Sequence, residues 1–247
     1  MKTDTASLVY GIRAIEEALD SQKSIEKVYL LRDSRNKSLF SIQQDLKKKG
    51  IPISMVPSVR LDQMTKGNHQ GIVAMISPIY FHDIEEMLEK VPPGKNPLFL
   101  ILDRLTDVRN FGAIIRTAEC CGVHGIIVQK SGNAPINADT IKTSAGAAFK
   151  VPMARVDHIK DAIYHLKASD IKIVAATEKT DQSIYHLNLT EPIAIVMGAE
   201  DKGISPSVLK MVDYRAKLPL MGDIGSLNVS VACGAFLYES VRQRITN

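Results

Sequence analysis

The chain has 247 residues, 45% hydrophobic and 23% charged, which is the balance of one large globular domain or two ordinary ones and excludes a disordered, collagenous or coiled-coil protein. Its net charge of +4 is unevenly placed: residues 1–80 hold 12 Lys+Arg against 8 Asp+Glu, and the remainder holds 19 of each. A basic module joined to a neutral one points to a polyanionic partner for the first third. No apolar run approaches the roughly 18 residues of a membrane span, and acids interrupt the N-terminus where a secretory signal needs its apolar stretch. The expected compartment is the cytoplasm, with no membrane partner. Cys120, Cys121 and Cys233 form no C-x-x-C and meet no paired histidines, so they read as small buried hydrophobes and no metal is expected.

In chain order, Ile12, Ile15 and Leu19 lie at helical spacing after Gly11, with Glu16 and Glu17 on the other side. Val28–Leu31 reads as a strand, Leu39–Lys49 as a helix ended by Gly50, and Ile51–Val56 as a strand. A short helix over Val59–Met64, a loop over Lys66–Gln70 and a strand over Gly71–Ile76 complete an α/β unit spanning residues 1–80. Asp83–Lys90 predicts a short helix, and three prolines between Val91 and Pro97 mark the end of a linker spanning 81–97. From residue 98 to 247 the pattern is that of an open, mostly parallel sheet. Its predicted strands are Leu98–Leu102, Gly125–Val128, Ile171–Ala176, Ile193–Met197 and Tyr214–Leu218. The helices between them are Gly112–Cys121, Ala138–Ser144, His158–Lys167 and Pro206–Met211, with Ser226–Arg242 last.

The usual nucleotide signatures are missing. No G-x-G-x-x-G follows a strand, and neither a G-x-x-x-x-G-K-[ST] loop nor a G-x-S-x-G elbow occurs. What does occur is three polar, glycine-bearing loops after strands, where open α/β sheets bind ligands. In the first, Asn110 is a candidate cap for the next helix, and Ile114, Ala118, Cys121 and Gly122 share its buried face. Arg116 projects away from that face; its structural alternative is an exposed pair with Glu119. In the second loop, Ser205 and Pro206 start a helix and leave Glu200 and Asp201 on a tight turn, which is either a ligand loop or an ordinary charged turn. In the third, Ser226 is a candidate cap, with Asn228 and Ser230 in the first turn.

At these residues the sequence resembles a known family. N-F-G-A-I-I-R-T-A at 110–118, M-G-A-E-D-K-G-I at 197–204 and L-P-L-M-G-D-I-G-S-L-N-V-S-V-A at 218–232 match, in order, the three motifs of the SpoU/TrmH family. Its members are S-adenosylmethionine-dependent RNA ribose 2′-O-methyltransferases of the SPOUT class. G-I-R-A-I-E-E-A-L at 11–19 and N-H-Q-G-I at 68–72 resemble that family's N-terminal substrate-binding domain, similar to ribosomal protein L30e. The arrangement is most like members that modify a guanosine of 23S ribosomal RNA, the alternatives being a transfer-RNA methyltransferase of the same family or a non-catalytic RNA-binding relative. Arg13 stands where a histidine is common, Leu218 and Leu220 replace the commoner Ile and Met, and Val108 replaces a frequent proline.

The resemblance implies an α/β fold with a trefoil knot, a homodimer, and S-adenosylmethionine as cofactor. It implies catalytic roles for Asn110, Arg116, Glu200, Ser226 and Asn228, and cofactor contacts at Gly198, Leu218 and Leu227. Methyl transfer from a sulfonium has a neutral leaving group, so the difficulty is the ribose hydroxyl, which must lose its proton as it attacks in line. The family proposal makes Arg116 the base; a guanidinium keeps its proton in proteins, so an electrostatic clamp is the competing role. Arg13, Lys47, Lys48, Lys49, Lys66 and His69 are the expected RNA contacts of the basic first domain.

Overall fold

The structure, a computed structural model, describes residues 8–20, 25–34 and 36–246. They form two compact units. One takes the described residues up to Tyr80 together with Pro135–Ala138, and the other runs Phe81–Ala134 and from Asp139 onward.

The first unit contains β1 (Leu8–Tyr10), α1 (Ile12–Asp20), β2 (Ile25–Leu31), α2 (Lys37–Lys48), β3 (Ile53–Val56), α3 (Ser58–Met64) and β4 (Ile72–Ile76). The sheet order is β1-β4-β2-β3, with β2 and β3 parallel and β4 antiparallel to both its neighbours. Alternation along β2 turns Val28 and Leu30 inward, where they meet Ile15 of α1, Ile42 and Leu46 of α2, and Ile72 of β4. The Asn36 side chain caps α2 by accepting from the Ser38 N–H at 2.9 Å. Strand β1 was not anticipated; three residues are too few for a period to show.

The second unit begins with α4 (Ile84–Glu89) and β5 (Leu98–Asp103). It continues through α5 (Val108–Cys120), β6 (Gly125–Gln129), α6 (Ala138–Thr143), β7 (Met153–Val156), α7 (Ile159–Ala168), β8 (Lys172–Ala176), β9 (Ile193–Gly198), α8 (Pro206–Leu209), β10 (Tyr214–Ala216) and α9 (Val229–Thr246). All six strands are parallel in the order β10-β8-β9-β5-β6-β7. The central pair, β5 and β9, is buried along its whole length, which is why both read as unbroken apolar runs. Phe99 and Ile101 face a core shared with Ile84 and Met87 of α4, Ile163 and Leu166 of α7, and Val208 of α8. Helix α9 packs on α5 and on β9.

The segment 81–97, expected as a linker, is therefore only partly a tether. Ile84 and Met87 sit in the second core, and His82 pairs with Ala154 beside the short, unanticipated edge strand β7. The last helix also starts later than expected, at Val229 rather than Ser226, and runs on to Thr246.

Cys121 and Cys233 are buried and Cys120 is exposed. Burial, with Cys120 nearby, pushes the Cys121 thiol up to about 11, and burial raises that of Cys233 further above the ordinary range. At pH 8 a thiol reagent should label one cysteine per native chain, Cys120, and all three after denaturation. Peptide mass mapping of the labelled protein checks this.

Candidate active site

The carboxyl ends of β5, β9 and β10 release the three polar loops on one edge of the second sheet. After β5, Asp107 caps α5: its carboxylate accepts from the Asn110 N–H at 2.7 Å. The expected cap, Asn110, instead lies inside the first turn with its side chain free to reach outward. Likewise the cap of α9 is Asn228 rather than Ser226. The Asn228 Oδ1 accepts from the N–H of Ser230 at 2.9 Å and from its hydroxyl at 2.6 Å.

These two corrections expose the site. The Asn110 amide donates to the Glu200 carboxylate. The Asn228 Nδ2 donates to Asn110 Oδ1 at 3.1 Å and to the same Glu200 oxygen at 3.2 Å. Three residues 28 to 118 positions apart thus form one triangle of side chains, each drawn from a different strand-end loop. Helix capping turns the Asn228 oxygen inward along its own helix and leaves its N–H₂ to face the other two.

Loop closure aims Glu200. The Gly203 N–H donates to the Ala199 carbonyl at 2.8 Å, and Gly203 takes φ of +63°. A Cβ at Gly198 would fall 2.2 Å from both Gly203 C and Ile204 N, so no side chain fits where the loop folds back on its strand. Gly198→Ala should cost about 1–3 kcal/mol or more, as overpacking against backbone does, and should weaken cofactor binding with it. Urea unfolding and calorimetry on the variant measure the two effects.

The third loop and the end of β9 line an open, largely apolar pocket. Thr177, Met197, Leu218, Leu220, Leu227 and Phe236 are among its walls, and Ser226 also lines it. Its apolar walls suit the hydrophobic part of a small ligand. Among the described residues, Leu218–Leu227 make no hydrogen bond, so their backbone groups are available to a bound molecule. Of the expected cofactor residues, Leu218 and Leu227 line this pocket, and Gly198 ends the strand beside it.

Arg116 is exposed on α5 and makes no hydrogen bond or ion pair among the described residues. Its structural alternative does not form, because Glu119 pairs with Lys150 at 3.2 Å instead. In the first unit, Arg13, Lys47 and Lys66 are exposed and equally unpaired. The other expected RNA contacts have local employment. Lys49 donates to the Leu19 carbonyl at the end of α1, Lys48 lies 3.7 Å from Asp45, and His69 bridges Asp62 and the Gly71 N–H. Asp103 carries no sequence signal of its partner, since a lone acid at the end of an apolar run does not say what it binds.

The SpoU rRNA Methylase family model matches residues 97–238, and the model for RNA 2′-O ribose methyltransferase substrate binding matches residues 8–82. The chain is 36% identical over 244 residues to the 23S rRNA (guanosine-2′-O-)-methyltransferase RlmB of Vibrio vulnificus, covering 97% of this chain and 98% of that one. It is 34% identical to the Escherichia coli K12 protein of the same name over 241 residues, covering 97% and 99%. Among solved structures, the SpoU methyltransferase AviRb from Streptomyces viridochromogenes, in complex with AdoMet, matches with a TM-score of 0.63 and 25% identity, over 97% of this chain and 91% of that one. The A. aeolicus TrmH/SpoU tRNA modifying enzyme matches with a TM-score of 0.57 and 28% identity, over 66% and 82%. On fold, motifs and relatives alike, the chain belongs to the SpoU rRNA methylase family, enzymes that draw their methyl group from S-adenosylmethionine.

Proposed function

We propose that this chain methylates the ribose 2′-hydroxyl of a guanosine in 23S ribosomal RNA, working in the cytoplasm as a homodimer built on a trefoil-knotted second domain. The observation that carries the reading is the triangle of Asn110, Glu200 and Asn228 standing next to an apolar pocket edged by unbonded backbone groups. The chemistry of the pocket lining suits S-adenosylmethionine: apolar walls for the ring and carbon skeleton, and backbone donors and acceptors for the polar ends. When bound, it supplies an electrophilic methyl group. The chain's own residues then have to hold the ribose in line and manage its proton. The triangle fixes polar groups where a ribose can be hydrogen-bonded, with Ser226 lining the pocket. Arg116, unpaired and exposed, has its full charge free for the neighbouring phosphate and the developing alkoxide, which favours the clamp over the base.

Residues 1–80 serve as the RNA-binding domain, with Arg13, Lys47 and Lys66 among its unpaired cations, and residues 98–247 as the catalytic one. No described helix is long and apolar enough to cross a membrane. Mapping 2′-O-methylation in a strain lacking the protein tests the substrate: one guanosine of 23S ribosomal RNA should lose its methyl group. Loss confined to transfer RNA would favour the alternative substrate instead.

The dimer has support in α9. Beyond its buried face of Val229, Cys233, Phe236 and Leu237, Val231, Tyr238 and Ile245 recur every seven residues and are 57%, 56% and 76% exposed. A helix apolar on two faces is covered on two faces. Light scattering should give about 54 kDa, twice the 27.2 kDa chain. Tyr238→Glu should shift it toward the monomer and depress activity, and a fully active wild-type monomer would contradict the dimer.

A further inference from the structure

The structure assigns Asp103 as a positioning residue for Glu200, a role that rests on the methyl-transfer reading above. Asp103 ends β5 and is 2% exposed. A carboxylate that deep is costly unless hydrogen-bonded, and its bonds show what holds it there. The other buried acid among the described residues, Glu239, is bound by Arg242 and Gln243 of its own helix. Asp103 reaches much further along the chain. Its Oδ2 accepts from the backbone N–H of Ser205, 102 residues on, at 2.7 Å.

Ser205 is where the Glu200 loop ends, and Gly198, where that loop begins, lies directly opposite Asp103 in the sheet register. Asp103 therefore ties both ends of the loop, one by strand pairing and one by its side chain. Between these anchors the Gly203–Ala199 bond closes the turn that presents Glu200 to Asn110 and Asn228. The second carboxylate oxygen holds Arg104 Nε at 3.3 Å. Arg104 itself takes φ of +62°, a backbone strain that persists only when its surroundings hold it. Releasing the Ser205 end frees Glu200 to drift from the triangle, and displacements of about 1 Å near a reacting centre lower rates by roughly 10²-fold.

The test uses the full chain, S-adenosylmethionine and unmethylated ribosomal RNA, at a temperature where circular dichroism shows each variant folded. Asp103→Ala should lower kcat by roughly 10²-fold with KM for RNA changed less than about 3-fold. Asp103→Asn keeps an oxygen for the Ser205 N–H and should return kcat to within about 5-fold of wild type. Because Asp103→Ala also strands a buried donor, Ser205→Pro supplies a second route. Ser205 has φ of −62°, which proline adopts, and the change deletes the donor itself. It should lose kcat as Asp103→Ala does. In a Glu200→Ala background, Asp103→Asn and Ser205→Pro should add less than about 3-fold to the loss, since the residues act as one unit.

Full kcat in Asp103→Ala or Ser205→Pro, an Asp103→Asn variant as slow as the alanine, or multiplying losses in the Glu200→Ala background would each overturn the assignment while wild type stays active. A wild-type chain that methylates no RNA would instead overturn the reading on which it rests.

Discussion

Replacing Arg116 with alanine is expected to lower kcat by roughly 10²–10³-fold, the usual consequence of removing one preorganised charge-stabilising donor from a reacting centre. The fold should be indifferent to the change. Arg116 makes no hydrogen bond or ion pair among the described residues, and Ile114, Ile115 and Ala118 carry the packing of α5. Calorimetry should therefore find S-adenosylmethionine affinity within about 2-fold of wild type, because uniform binding is not what is lost. Arg116→Lys separates the two roles proposed for this side chain. A clamp acting by charge should recover part of the rate with lysine, less than all of it because a point charge replaces a fork. Near-normal turnover in the alanine variant would remove Arg116 from the chemistry.

A fragment beginning at Phe81 should fold and bind S-adenosylmethionine, yet lose most of its activity on intact RNA. The cut falls before α4 because Met87 is fully buried in the second core; a start near Pro92, which the proline cluster suggests, would leave a hole there. The two apolar cores share no residue, so each unit has its own source of stability. Three of the unpaired cations of the first unit, Arg13, Lys47 and Lys66, depart with it. If each neutralises one phosphate of a single strand, the log–log salt slope of RNA binding should become shallower by about 2, at roughly 0.7 per contact. Charge reversal at these three positions in the full chain should do the same without touching the second unit. A fragment with unchanged activity and slope would mean that RNA capture lies elsewhere.

How much of this was legible in the sequence follows from how local each signal is. The central strands β5 and β9 announced themselves because burial on both faces makes every residue apolar. The three motif loops were visible as glycine and polar clusters after such runs, and their order carried the family. Caps were misplaced for a physical reason: Asp107, Asn110, Ser226 and Asn228 can all cap a helix, and which one does depends on where the chain leaves the strand before it. The misreading mattered, because only once Asp107 holds α5 and Asn228 holds α9 are the side chains of Asn110 and Asn228 left to converge on Glu200. In the first domain the sequence showed six candidate RNA contacts, but it could not show that Lys49 caps α1 or that His69 braces its own loop. Composition, period and motif are properties of neighbours in the chain, and so the sequence alone determined most of the elements, though not the short strands β1 and β7, together with the parallel sheet and the family. Which of two equivalent side chains is bonded and which is free, and that Asp103 reaches Ser205, are properties of neighbours in space, decided only when β5 and β9 lay side by side.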